Sequence, residues 1–438
     1  MDNRAAHALI RFGLGHAAGE SLPGAPSTWL RQQLVGPDTA PAGLQPQPGG
    51  SVADAIATFM LDRSDPPPEG QPRRTGQLFR AEMQGLFQNA ITTPASFRER
   101  LVWFWANHFT VSTRRGEVNA LAGSFIREAI RPYVTGPFGD MLLAVMRHPA
   151  MLLYLDNAQS FGPNSRVGQR QNKGLNENLA RECLELHTLT PASGYTQADV
   201  TEFARILTGW SVEQKEPPLG YKFRPFVHEP GPKRLMGYQF VEGEQGGIDA
   251  LRFLGEHPAT HRALATKLAR HFIADAPPPD AIRAIEGTLR DTRGNLGAAC
   301  QMLITLPSAW IPLQKLRSPQ DFLLAALRAS GLPADDDGPR KVPVIAILSG
   351  LGQAPFGAAQ PSGWPDRAAE WAGPEAMLRR VDWAYGFAGR GNLPEPMQFA
   401  DTALGPLLSD ATGTEIRRAG SRRDGLTLLL ASPEFQRR

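Results

Sequence analysis

The sequence predicts a mainly α-helical fold: a large irregular multi-helix domain with a small β-hairpin near 221–240. Three observations carry this. Hydrophobic residues recur at helical spacing along most of the 438 residues. Strand-like patterning is confined to one stretch, where Tyr221, Phe223 and then Leu235, Tyr238 and Phe240 flank the turn-prone Glu229-Pro230-Gly231-Pro232. The 42% hydrophobic and 20% charged residues are enough to bury a sizeable core, which excludes wholesale disorder.

Taken in order, the periodicity predicts helices over 2–13, 27–35, 52–62, 76–91, 97–110, 115–131, 138–147, 177–189, 197–208, 258–273, 279–291, 295–305, 318–329, 374–388 and 422–431. Residues 1–35 read as an N-terminal helical arm. The segment 36–72 reads as a flexible connection, because 36–50 and 64–72 are rich in Pro and Gly. No repeat recurs at a fixed period.

Several function classes fall away at once. A formal net charge of +3 gives no electrostatic footprint for nucleic acid or an anionic membrane surface. No apolar run reaches the length of a spanning helix. Arg11, Gly13 and Gly15 interrupt the N-terminal segment before it can resemble a secretory signal, so a cytoplasmic location is expected. Cys183 and Cys300 are too few for a disulfide framework or a Cys-rich metal site and read as buried thiols. No nucleotide-binding motif is present; a divalent metal held by the carboxylates of 177–189 is one expectation, without a motif behind it.

The polar groups with chemistry to offer cluster in a few places. Over 97–110, a capping box of Ser96 and Glu99 is expected to start a helix whose apolar stripe is Phe97, Leu101, Phe104, Trp105 and Phe109. His108 falls within that stripe, either as a core imidazole bonded to a carbonyl or as a ligand or acid/base group. The loop 157–175 carries Arg166, Arg170 and Lys173 just before a helix start. It reads either as an anion site or as a solvated loop. Over 177–189, Glu177, Arg181 and Glu185 form a ladder with Glu182 beside it, opposite Leu179, Cys183 and Leu186. This is either a solvated amphipathic face or a buried seam able to split carboxylate pKa values. Thr196 and Asp199 form a second capping box, with Arg205 on the polar side of the same helix. His228 follows Phe226 at the expected hairpin turn. His257 and His261 bracket Pro258, a poor chelating arrangement.

Several segments together resemble a known family. They include Trp105-Ala106-Asn107-His108-Phe109, Tyr154-Leu155-Asp156-Asn157, Asn176-Glu177-Asn178, Ala180-Arg181-Glu182, Glu185-Leu186-His187-Thr188, Gly194-Tyr195-Thr196-Gln197, Leu207-Thr208-Gly209-Trp210 and Gly363-Trp364-Pro365. In this order, over nearly the whole chain, they resemble the bacterial family filed as domain of unknown function 1800. The resemblance implies that 73–438 is a single large helical domain. The segment Thr190-Pro191-Ala192-Ser193 and the stretch before Gly363 depart from the family pattern.

The resemblance favours the buried seam and draws attention to His108, Glu182, Glu185, Asp199 and His228 as candidate catalytic groups. Asn107, Asp156, Asn157, Arg166, Arg170, Lys173, Glu177, Arg181 and Arg205 become candidate binding groups. One expectation is a hydrolase or transferase acting on an anionic or sugar-like envelope substrate. The other, also implied by the resemblance, is a non-catalytic assembly or export partner of a sulfatase-like protein encoded nearby, with export in complex and a purely structural polar cluster.

Overall fold

The computed structural model describes residues 3–36, 38, 50–334 and 342–438. The chain is mainly α-helical, and two small antiparallel two-stranded sheets complete its regular structure among the described residues. Stretches with helical periodicity form helices, among them Pro26–Val35, Arg74–Thr92, Ser96–His108, Phe138–Arg147 and Pro258–Phe272. Of the segment 36–72, residues 37 and 39–49 lie outside the described residues, and Val52–Ser64 is helical, capped by Ser51. No described helix is long and apolar enough to cross a membrane.

The Ser96–His108 helix runs through the core. Phe97, Leu101, Trp105 and Phe109 are buried on it, as their spacing predicts. Phe12 meets Phe97 edge-on at 5.6 Å and stacks on Phe272 at 5.9 Å, so the N-terminal residues pack into the same core. Arg100 reinforces this by donating to the Gly13 carbonyl at 2.6 Å.

The capping box expected at Ser96 does not form. The N-cap is Ala95, and the Ser96 hydroxyl is buried without a partner. Glu99 turns inward instead, taking both oxygens to Arg131 at 2.9 and 2.8 Å and accepting from Asn89 at 2.7 Å. A buried Arg needs a carboxylate more than a helix start needs its third-residue cap. The Thr196–Asp199 capping box does form.

The β structure is present but paired differently from a single hairpin about 229–232. Trp210–Glu213 pairs with Gly220–Phe223, and Lys233–Leu235 pairs with Tyr238–Phe240. In the second hairpin Met236 and Gly237 both have positive φ, at 47° and 83°. That is a type I′ turn, whose twist suits a two-residue hairpin. Methionine is an uncommon residue there, so the turn carries little sequence signal.

Helices also form outside the predicted stretches, among them Glu244–Glu256. Its glycines conceal it, yet Gly247 is required by close packing: a Cβ there would lie 2.6 Å from the Trp210 ring. Gly247→Ala is expected to lower stability by about 1–3 kcal/mol through overpacking. An unchanged urea midpoint for this variant would show that Trp210 has room to move.

Candidate functional site

Two helices present their polar faces to each other. On Ser96–His108, residues Trp103, Phe104, Asn107 and His108 share one side. On Pro258–Phe272, Lys267, Arg270 and His271 do the same at i, i+3 and i+4 spacing. Between them, closed by the 353–370 segment and the start of Pro319–Ser330, lies a cavity of about 470 Å³. Its walls are aromatic at Trp103, Phe104, Phe356 and Trp364, and its polar groups come from both helices and from Asp321, Asp366, Arg367 and Glu370.

Asn107 fixes the far wall. Its amide donates to the Trp364 carbonyl at 2.8 Å and its oxygen accepts from the Trp364 N–H at 2.8 Å. This double bond pair ties the loop to the helix.

His108 and Lys267 form the innermost polar pair. The Asn178–Glu182 helix widens into a π-turn over Cys183–His187, the kind of local widening that recurs at functional sites. The turn leaves the Leu186 and His187 carbonyls free at the helix end. The His187 carbonyl sits 3.2 Å from His108 Nε2, so Nε2 carries the proton. His108 Nδ1 is then a bare acceptor, and Lys267 Nζ donates to it at 3.0 Å and to the Leu186 carbonyl at 2.9 Å. Burial, then the nearby Lys267 and His187, hold His108 well below the usual imidazole range. Burial and the neighbouring Arg270 push Lys267 down to about 8.

A second polar group forms the opposite side. His271 Nδ1 donates to Asp366 Oδ2 at 3.0 Å, and Asp366 is also beside Lys315 and Arg438. Asp321 receives Arg100 at 2.8 Å and Arg438 at 2.9 Å. Burial alone would raise both aspartates. For Asp321 the Arg100 and Arg438 guanidiniums overcome it, and for Asp366 His271 and Lys315 do so, leaving both far below the ordinary carboxylate value. Arg270 differs from these paired cations. Its side chain makes no hydrogen bond or ion pair among the described residues, and its Nε is buried without a partner.

Of the residues singled out from the sequence, Asn107 and His108 line this cavity. The others lie elsewhere. Glu177, Arg181, Glu182 and Glu185 are partly exposed and away from the cavity. Glu177 accepts from Arg181 at 2.9 Å, Gln197 at 2.9 Å and Thr201 at 2.6 Å, which fastens its helix to Gln197–Leu207. Partial burial and then Glu185 raise Glu182. Asp199 is taken by its cap and by the Met236 N–H at 2.6 Å, and Arg205 by Glu202. Asp156, with φ 57°, pairs with Arg115. Asn157 is buried and donates to the Leu207 and Trp210 carbonyls at 3.1 and 2.9 Å. Arg166 and Arg170 are exposed on a short helix, and Lys173 lies 4.6 Å over the Phe161 ring. His228 is buried in a separate cluster, donating from Nδ1 to the Thr208 carbonyl at 2.7 Å and accepting from Lys233 at 2.9 Å.

Sequence reasoning missed Lys267, Arg270, His271 and Asp366. The signal was available: three basic residues share one face of 258–273, and Asp366 directly follows Gly363-Trp364-Pro365. Among the described residues no three His, Cys, Asp or Glu side chains gather closely enough to hold a metal ion.

The family described as protein of unknown function (DUF1800) matches residues 7–437. No curated protein and no solved structure matches the chain.

Proposed function

Since the chain belongs to the DUF1800 family, whose description names no activity, we propose from its cavity that it binds and processes a small anionic or sugar-like molecule there. One observation carries this reading. Lys267 and Arg270, one helical turn apart, both line the cavity, and neither has a carboxylate partner among the described residues. Burying a guanidinium without counter-charge is costly, so Arg270 suits a ligand that supplies the anion, with Lys267 beside it as a further N–H donor. A guanidinium offers paired donors to a carboxylate, sulfate or phosphate group. Trp103, Phe104, Phe356 and Trp364 provide flat apolar surface for the body of a sugar-like ligand. His108 and Lys267 supply a proton-carrying pair at the inner end, which suits a hydrolase or transferase.

The test is thermal unfolding with sulfate, phosphate or glucuronate added. Ligand at about a hundred times its Kd adds about 2.7 kcal/mol, so Tm is expected to rise for the wild-type protein. The rise should be absent for Arg270→Ala and Lys267→Met. Equal shifts in all three proteins, or none in any, would place anion binding elsewhere or nowhere.

A further inference from the structure

Building on the anion-binding reading, we propose that Lys267 is a nucleophile that forms an imine with a carbonyl compound bearing an adjacent anionic group. An α-keto acid or the open-chain form of an acidic sugar belongs to that class.

Hydrogen-bond valence favours the neutral amine at Lys267. Lys267 Nζ has two partners, and both are acceptors. The Leu186 carbonyl can only accept. His108 Nδ1 accepts because the His187 carbonyl fixes the proton on Nε2. A neutral amine has two N–H groups and one lone pair, so these two acceptors satisfy it fully and leave the lone pair as its remaining direction. An ammonium would carry a third proton with no acceptor among the described residues. Among the described residues no carboxylate lies within ion-pair distance of Nζ to hold the charged form, and the charge that acts on it is Arg270, a cation.

The surroundings match the same chemistry. Lys267 and Arg270 line one cavity, so a ligand whose anionic group meets Arg270 brings its neighbouring carbonyl toward Nζ. Favouring the free-base form of a buried amine is a recognised way to activate lysine.

The step balances without any further reactant. The Nζ lone pair forms a bond to the carbonyl carbon while the carbon–oxygen π bond breaks. The two Nζ protons pass to that oxygen, one by way of His108 Nδ1, and the carbon–oxygen bond then breaks as C=N forms. The products are the imine and one water.

The experiment uses the full chain with pyruvate, and separately glyoxylate, in the presence of cyanoborohydride, followed by intact mass and peptide mapping. The depression of Lys267 to about 8 leaves it on the order of a hundredfold more free base near pH 7.5 than an ordinary lysine. One reduced adduct per chain is therefore expected, mapped to Lys267 ahead of Lys173, Lys215 and Lys222. Arg270→Ala should slow its formation, and Lys267→Arg, checked for an unchanged circular dichroism spectrum, should abolish it. Adducts spread evenly over the exposed lysines, or none at Lys267, would overturn the imine. If sulfate still raises Tm in that case, the anion-binding reading survives alone. If it does not, both fall.

Discussion

Asp321→Ala is expected to cost about 3–5 kcal/mol, the range for breaking a buried ion pair from one side. Asp321 accepts from Arg100 and forms an ion pair with Arg438, and the two arginine side chains are 4% and 1% exposed. Arg11 and Arg317 are buried close by. Their positive charges already oppose one another: burial, then Arg438 and Arg100, push Arg11 down to about 8, and Arg317 is pushed down to about 9 by burial first. Removing the aspartate takes away a shared counter-charge and leaves Asp366 as the remaining carboxylate acting on Arg11, Arg100 and Arg438. The check is the urea midpoint of the variant against wild type. A loss below about 1 kcal/mol, the size of a surface pair, would show that the arginines relax into water and that Asp321 is not their anchor.

Acidification should weaken the fold well before the carboxylates titrate. Burial lowers His7 to about 4 and His148 and His187 to about 3. The ordinary imidazole value is about 6.5. In this window the unfolded chain binds protons that the folded chain refuses. The stabilisation is therefore complete above pH 6.5 and is lost as pH falls from there toward 4. Each such histidine contributes about 1.4 kcal/mol per pH unit, so the three together weaken the fold by roughly 4 kcal/mol per unit. The aspartates act in the same sense at lower pH, since Asp321 and Asp366 have depressed values and stabilise the fold only while ionised. Tm measured from pH 7.5 to 4.5 should fall steeply below pH 6.5, and a flat profile to pH 5 would refute the account. His148→Asn should make the fall shallower by one histidine. His148 caps its helix by accepting from the Ala150 N–H at 3.1 Å, and an asparagine oxygen can take over that bond.

The helices were legible because burial writes a period into the sequence, and Phe97, Leu101, Trp105 and Phe109 repeat it plainly. His108 was legible for a related reason, because a polar residue in an apolar stripe needs a partner, whereas Asn107 stood out only through the family resemblance. Lys267 was not, because a lysine on an amphipathic helix has the pattern of a solvated one. Its burial comes from the π-turn at Cys183–His187, which lies far from it in sequence. The ladder Glu177, Arg181 and Glu185 showed the opposite difficulty. Its spacing fits a surface face and a buried seam equally, and only the packing of Gln197–Leu207 against it decides that Glu177 serves as a fastening between helices. Ser96 and Glu99 show how a local rule yields to a distant charge, since Arg131 draws Glu99 inward.

The π-turn makes the pair sensitive to chain length. It holds its hydrogen bonds one residue further apart than the α-helix that leads into it. Each residue turns a helix by about 100°, so a single insertion re-aims every carbonyl after it. Here those carbonyls belong to Leu186 and His187, the acceptors that set the His108 tautomer and hold the Lys267 amine. Chain length at this point, more than the identity of any one side chain, governs the proton arrangement of the pair. Removing one residue within Cys183–His187 would keep the same histidine and lysine yet re-aim the carbonyls on which their present poise depends.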